Sequence, residues 1–136
     1  MAKTNESVLY YNPGTPQTQG HVMKLKSVLV RMGIRIKNVS ADQVGQTVGY
    51  LAGLPGFEEM PNEGELPVLD REMIVFRQFS SERLDQLLAN LRKAGVPRID
   101  LKAVLTEHNC QWTFAKLYEE LAEEHEKMHA GARTDG

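Results

Sequence analysis

Four consecutive apolar residues, Met73-Ile74-Val75-Phe76, stand between the charged Glu72 and Arg77. A run this short and this apolar predicts a strand covered on both faces, because a half-exposed strand would alternate polar with apolar side chains. The next twenty residues narrow the choice further. Phe79-Ser80 opens a stretch with Leu84, Leu87, Leu88 and Leu91 at helical spacing, Ser80 placed to cap it and Phe79 to staple onto Leu84. Gly95 and Pro97 close that helix. Ile99, Leu101, Ala103 and Leu105 then alternate with Arg98, Asp100, Lys102 and Val104, the pattern of a half-exposed edge strand. A strand, a helix and a second strand at these separations predict a right-handed crossover and a parallel pair.

The upstream half reads similarly. Val8 to Tyr11 is an apolar strand stopped by Asn12-Pro13-Gly14. Thr15 and Pro16 suit the start of a helix whose stripe is Val22, Leu25, Leu29 and Met32, ending at Gly33. Ile34 to Val39 alternates and reads as an edge strand. Ser40 and Gln43 have the spacing of a capping box, and they open a predicted helix with Val44, Val48 and Leu51 on one face. Gly45, Gly49 and Gly53, four apart in that segment, predict close packing of this helix against a sheet or a neighbouring helix. Leu54 to Pro67 is an irregular, acidic segment. Burial of its Phe57 and Met60 would make it structural, and exposure would make it a contact surface. Thr106 to Asn109 is a polar turn before a last helix with Phe114, Leu117, Tyr118 and Leu121 on its apolar face. No internal repeat is visible.

These elements predict one α/β domain over residues 1–136, with frayed ends at about 1–6 and 128–136. The architecture expected is three-layered, a mainly parallel four-stranded sheet of order 2-1-3-4 between helices. A ferredoxin-like sheet of order 4-1-3-2 and a thioredoxin-like arrangement are the alternatives; a cysteine pair is absent from the place where the latter would carry its redox chemistry. In a parallel sheet the turns leaving the strands gather on one edge and bind ligands where strand order reverses. That reasoning places a crevice between the first and third strands, with Asn12, Thr15, Gln78 and Ser80 around it.

A chain of 136 residues with a formal charge of −2 offers no broad attraction to nucleic acid or an anionic membrane. One cysteine, Cys110, permits neither an internal disulfide nor a CxxC pair, and no signal-like or membrane-spanning run is present, so a cytoplasmic location is expected. His125-Glu126-Lys127-Met128-His129 has the HExxH spacing of zinc proteases, but its flanks are acidic and solvated and no third ligand is in view; His125 and His129 are weak metal candidates, and no metal or other cofactor is expected. No nucleophile elbow, P-loop or dinucleotide fingerprint occurs. The candidate ligand-binding residues are Asn12, Thr15, Ser80, Lys102, Thr106, Asn109 and Trp112. Helix capping and tryptophan packing compete with that role for Thr106, Asn109 and Trp112.

Glu72-Met-Ile-Val-Phe76, Phe79-Ser80, Leu84-Asp85, Leu91-Arg-Lys-Ala-Gly95 and Leu101-Lys-Ala-Val-Leu-Thr106, with Asn109 and Trp112, resemble a bacterial family catalogued as a domain of unknown function. The likeness spans mainly residues 72–121. It implies a small bacterial cytosolic protein and brings no activity, cofactor or catalytic residue. The function expected is a non-catalytic binding or regulatory module, acting through the Thr106 to Trp112 turn, the acidic segment or both, with an unknown protein or small-molecule partner. The alternative is a protein or enzyme that binds nucleotides or phosphorylated metabolites in the crevice.

Overall fold

A computed structural model describes residues 5–61 and 64–135, without the side chains of 17 and 129–135. Of the expected frayed ends, residues 1–4 and 136 lie outside the described residues, as does the side chain of His129, whereas residues 128–135 are described as part of the last helix. Strand β1 (Ser7–Tyr11) leads through the short α1 (Pro16–Gln19) and α2 (Val22–Arg31) into β2 (Arg35–Asn38), then through a 3₁₀ turn at Ala41–Gln43 into α3 (Val48–Leu51). After the acidic segment, β3 (Met73–Arg77), α4 (Ser81–Lys93), β4 (Leu101–Val104), a 3₁₀ turn at Asn109–Gln111 and α5 (Phe114–Asp135) complete the chain.

The sheet has the order β2-β1-β3-β4. The outer pairs are parallel and the central pair, β1 with β3, is antiparallel, Ser7 facing Arg77 and Tyr11 facing Met73. Met73 to Phe76 are buried on both faces, as their unbroken apolarity predicts. Val8, Tyr10, Ile74 and Phe76 pack under α2 and α4, whereas Leu9, Tyr11, Met73 and Val75 pack with α3 and α5. Two cores therefore sandwich one sheet.

The reversed central pair corrects the expected crevice. The turn after β1, with Asn12 and Thr15, and the turn after β3, with Gln78 and Ser80, lie at opposite ends of the sheet. The physical reason is a repeat that was invisible in the sequence. β3 begins 66 residues after β1, β4 the same distance after β2, and α5 the same distance after α3. A right-handed strand-helix-strand unit puts its helix on one face; two such units related by a twofold axis normal to the sheet keep both helices on that face and make their touching strands antiparallel.

Local bonding repeats at the same interval. Tyr10 O accepts from Val39 N, and Phe76 O from Leu105 N, each at 2.8 Å. Thr47 caps α3 by accepting from Tyr50 N, and Thr113 accepts from Lys116 N at the start of α5. Thr47 and Thr113 face each other in an antiparallel bridge across the axis, Val48 N donating to Trp112 O (2.8 Å) and Phe114 N to Gln46 O (2.9 Å). Gly33 (φ 75°) and Gly95 (φ 86°) end α2 and α4 in left-handed conformations, so that Ile34 N and Val96 N reach back to Leu29 O and Leu91 O.

Two predicted helices are shorter than expected. The stripe from Pro16 to Met32 is broken at Gly20-His21, because His21 turns inward to a buried carboxylate. The segment from Ser40 is a 3₁₀ turn that retains its capping box, and a fresh cap at Thr47 starts α3. Close packing occurs at Gly49, though against the acidic segment rather than a sheet or helix, since a Cβ there would come within 2.7 Å of the Phe57 ring; Gly53 instead ends the helix at φ 76° with open space around it. The acidic segment is thus half structural, with Phe57 packed and Met60 43% exposed, yet Met60 N and O are both bound at 2.7 Å by the buried Gln46 amide.

Candidate functional site

Two polar constellations interrupt the cores, and they occupy equivalent places. Glu6 and Glu72 each precede a central strand, and each carboxylate is buried and grips a residue near the start of the other unit's crossover helix. Arg83 Nε and Nη2 bind Glu6 at 2.7 to 3.2 Å, and Arg83 Nη2 also donates to Met32 O. The pairing holds the Arg83 guanidinium even more firmly protonated than usual. At Glu72 the partners are His21 Nε2, 2.6 Å away, and the Tyr10 hydroxyl, which donates to the same carboxylate oxygen. Asn12 Nδ2 donates to Tyr10 Oη and to Thr18 O, and Asn12 Oδ1 accepts from Thr18 and from Gly14 N. Burial and then the Glu72 hydrogen bond push the Tyr10 phenol well above its ordinary pKa. No buried side-chain polar atom among the described residues lacks a partner. The cluster is a closed network with its hydrogen-bonding capacity filled.

The other candidate residues divide by what they touch. Thr15 sits before α1 with its carbonyl accepting from Thr18 N and Gln19 N, and Ser80 caps α4 by accepting from Arg83 N. Thr106 N donates to Asn109 Oδ1 while Asn109 N donates to Thr106 Oγ1, and Asn109 Nδ2 reaches Val104 O. Ser40 N to Gln43 Oε1 is the same device, 66 residues earlier. In both places a side chain closes the end of an edge strand and starts a 3₁₀ turn. Trp112 is half-buried against the α3 and α5 core, with His108 edge-on and the Lys116 ammonium 4.9 Å from its ring centre. Thr106, Asn109 and Trp112 are brought together, while Asn12 and Thr15 are elsewhere and Ser80 elsewhere again. His125 lies 3.7 Å from Asp100, and no group of three metal-binding side chains occurs among the described residues.

Lys102 is different, because it borders open space. It sits on the α4 face of β4 beside Ile74, where a cavity of about 300 Å³ is lined by Phe76, Leu88, Leu91, Val96, Pro97 and Ile99 and rimmed by Arg92, Arg98 and Lys102. Its ammonium donates to Ile99 O at 2.6 Å. Burial first, and the neighbouring Arg98 second, lower its pKa. The repeat explains why space exists here. Ile34 and Val96 are equivalent after the two helices, and Arg35 and Leu101 open the two edge strands, so between helix and edge strand the second unit carries four additional residues, Pro97 to Asp100, while the first carries four more between its central strand and its helix. Pro97, Arg98 and Ile99 form one wall of the cavity, and the residue equivalent to Lys102 in the first unit is Ile36. Lys102 was visible in the sequence as an outward lysine on an edge strand. The cavity was not, since recognising the insertion requires the alignment of the two units.

A second opening of about 440 Å³ lies on the α5 side of the same edge and shares Arg98 and Lys102 with the first. Its other walls include Asp100, Glu124 and His125, so both charge signs meet there. No helix among the described residues is long and apolar enough to cross a membrane. Neither curated proteins nor solved structures yield a match to this chain. Residues 72–128, which run from the buried Glu72 through the insertion and β4 into α5, match the family described as a domain of unknown function, DUF3783.

Proposed function

We propose that the protein is a non-catalytic binding module whose small-molecule site is the cavity between α4, the Pro97 to Asp100 insertion and β4. The observation that carries this reading is a concave apolar space with three cations at its rim, walled by a segment that the first unit lacks between its helix and edge strand. Among the described residues its lining contains no carboxylate, histidine, cysteine or hydroxyl, so Lys102 has no acid/base partner in the lining with which to act on a bound molecule. Binding and orientation are what such a lining supplies.

Thermal-shift screening against small carboxylates, phosphates, nucleotides and neutral apolar compounds tests the reading. A ligand at 100 times its dissociation constant adds about 2.7 kcal/mol of stability, a readily measured rise in melting temperature. Leu88→Trp, which places an indole in the cavity from the half-buried outer face of α4, is the control. Stabilisation of the native chain by a compound that no longer stabilises this variant supports the cavity as the site; compounds that stabilise both equally act elsewhere.

A further inference from the structure

We infer that the ligand of this cavity is a carboxylate with an apolar body, an aliphatic or aromatic acid of about ten carbon atoms, whose anionic head lies between Lys102 and Arg98. The inference rests on the binding reading above and adds the ligand class.

The lining separates into a floor and a rim. Ile74, Phe76, Leu88, Leu91, Val96, Pro97 and Ile99 are apolar, and the polar side chains are Arg92, Arg98 and Lys102. A fully polar ligand would leave its own hydrogen-bonding groups unmatched against that floor, which disfavours sugars and the base and ribose of a nucleotide. A neutral apolar ligand would make no use of the cations at the rim, whereas an anionic head gains a charge-assisted contact with them. Arg92 alone is ordinary at the end of a helix, where a cation offsets the carbonyl dipole. Arg98 and Lys102 belong to the insertion and to β4, so the dipole does not account for them. Neither Arg92 nor Arg98 forms an ion pair among the described residues, and the Lys102 ammonium, with three donors, has one directed at Ile99 O and two left for an anion.

The number of charges on that head is also constrained. Phosphate sites draw on backbone amides at helix N-termini or glycine-rich nests, together with hydroxyl donors. This cavity opens beside the C-terminal turn of α4, where the helix presents its negative end, and its lining has no serine, threonine, asparagine or glutamine. A doubly charged phosphate would meet carbonyls on one side and apolar groups on the other. A single carboxylate is matched by one or two of the three cations and leaves the remainder to the helix end. The volume bounds the size of the body: about 300 Å³ is at the lower end for ligand pockets, which suits a medium-length acid such as decanoate better than a long-chain one.

Isothermal titration of the full chain with decanoate, decanol, inorganic phosphate and ADP, below the critical micelle concentration of the amphiphiles, tests the class. Decanoate is expected to bind at least tenfold more tightly than decanol, with phosphate and ADP weaker than either. Lys102→Met, which puts an apolar side chain where the equivalent first-unit residue is Ile36, is expected to weaken decanoate about tenfold and leave decanol unchanged. Equal binding of decanoate and decanol, or tighter binding of ADP or phosphate in a manner sensitive to Leu88→Trp, overturns the carboxylate while leaving the cavity as the binding site. Absence of binding by every probe overturns the carboxylate; if the thermal-shift panel is also silent, the binding reading falls with it.

Discussion

The two units answer the same structural question with different chemistry. Each buries a glutamate ahead of its central strand and neutralises it from the other unit's helix. Glu6 receives a guanidinium that stays charged at any ordinary pH, in a forked geometry that holds Arg83 to Met32 O as well. Glu72 receives an imidazole and a phenol, and the phenol occupies the place that Phe76 fills in the second unit. One pair is a forked clamp and the other is a network of single hydrogen bonds. The difference shows that a buried charge position was kept while its partner was free to change, and that burial alone does not mark a site.

Removing one partner from each glutamate separates these roles. Arg83→Ala leaves the Glu6 carboxylate buried without its fork, and breaking a buried pair in this way costs about 3 kcal/mol or more. His21→Leu leaves Glu72 with the Tyr10 donor, and loss of one hydrogen bond to a charged group is expected to cost about 2 kcal/mol. Urea unfolding of both variants at pH 7 measures the difference. Equal losses would mean that the phenol contributes nothing and that the two glutamates are held alike.

Tyr10→Phe converts the first unit to the second unit's residue at this place and gives an effect of similar size, about 2 kcal/mol at pH 7, because the hydroxyl gives up its bond to the Glu72 carboxylate and the one it accepts from Asn12. Its sharper signature is in pH. The folded Tyr10 phenol titrates above its unfolded value of 10.0, so the folded state holds a proton that the unfolded chain releases. Stability from this group is whole below pH 10 and declines as pH rises above it. The variant should therefore lose less stability than the native chain between pH 9.5 and about 11.5. Tyr118, pushed up to about 12 by burial and by its bond to Asp70, has the same sign, and Tyr118→Phe should flatten the remaining slope. Melting temperatures across that range that run parallel for native chain and variants would remove the phenols from the alkaline response.

What could be read from the sequence follows the range of the interactions. The order of the strands, the burial of Met73 to Phe76, the Ser80 cap and the Ser40 and Gln43 box rest on neighbours a few residues apart, and all are found. The antiparallel central pair is set by contacts between units, and no local periodicity encodes it. His21 lies one residue ahead of the α2 stripe and Glu72 beside an apolar strand, so each was legible as a polar residue at a core boundary; their meeting across 51 residues was not. The repeat itself was hidden because equivalent residues share burial and role more than identity or size, as with Val48 and Phe114, and because Pro97 to Asp100 shifts the alignment between helix and strand. Of the candidate residues, Lys102 lines the cavity, while Ser80, Thr106 and Asn109 are engaged in capping.

The smallest expected effect concerns α3, where the first unit has Gly49 and the second has Ala115. Gly49→Ala makes the units alike and gains up to about 1 kcal/mol of helix propensity. It also puts a methyl group 2.7 Å from the Phe57 ring, which must move with its loop. The two contributions oppose each other, so the net change in stability should stay within about 1 kcal/mol. The displaced loop should nonetheless be cut faster by a protease at Leu54 to Pro61. In a Phe57→Ala background the obstacle is gone, and Gly49→Ala should stabilise outright. A double-mutant cycle by urea unfolding, with limited proteolysis beside it, distinguishes a glycine required by the ring from one the fold merely tolerates. Identical effects in both backgrounds would show that Phe57 does not constrain α3, and the acidic segment would then be held by Gln46 on Met60 alone among these contacts.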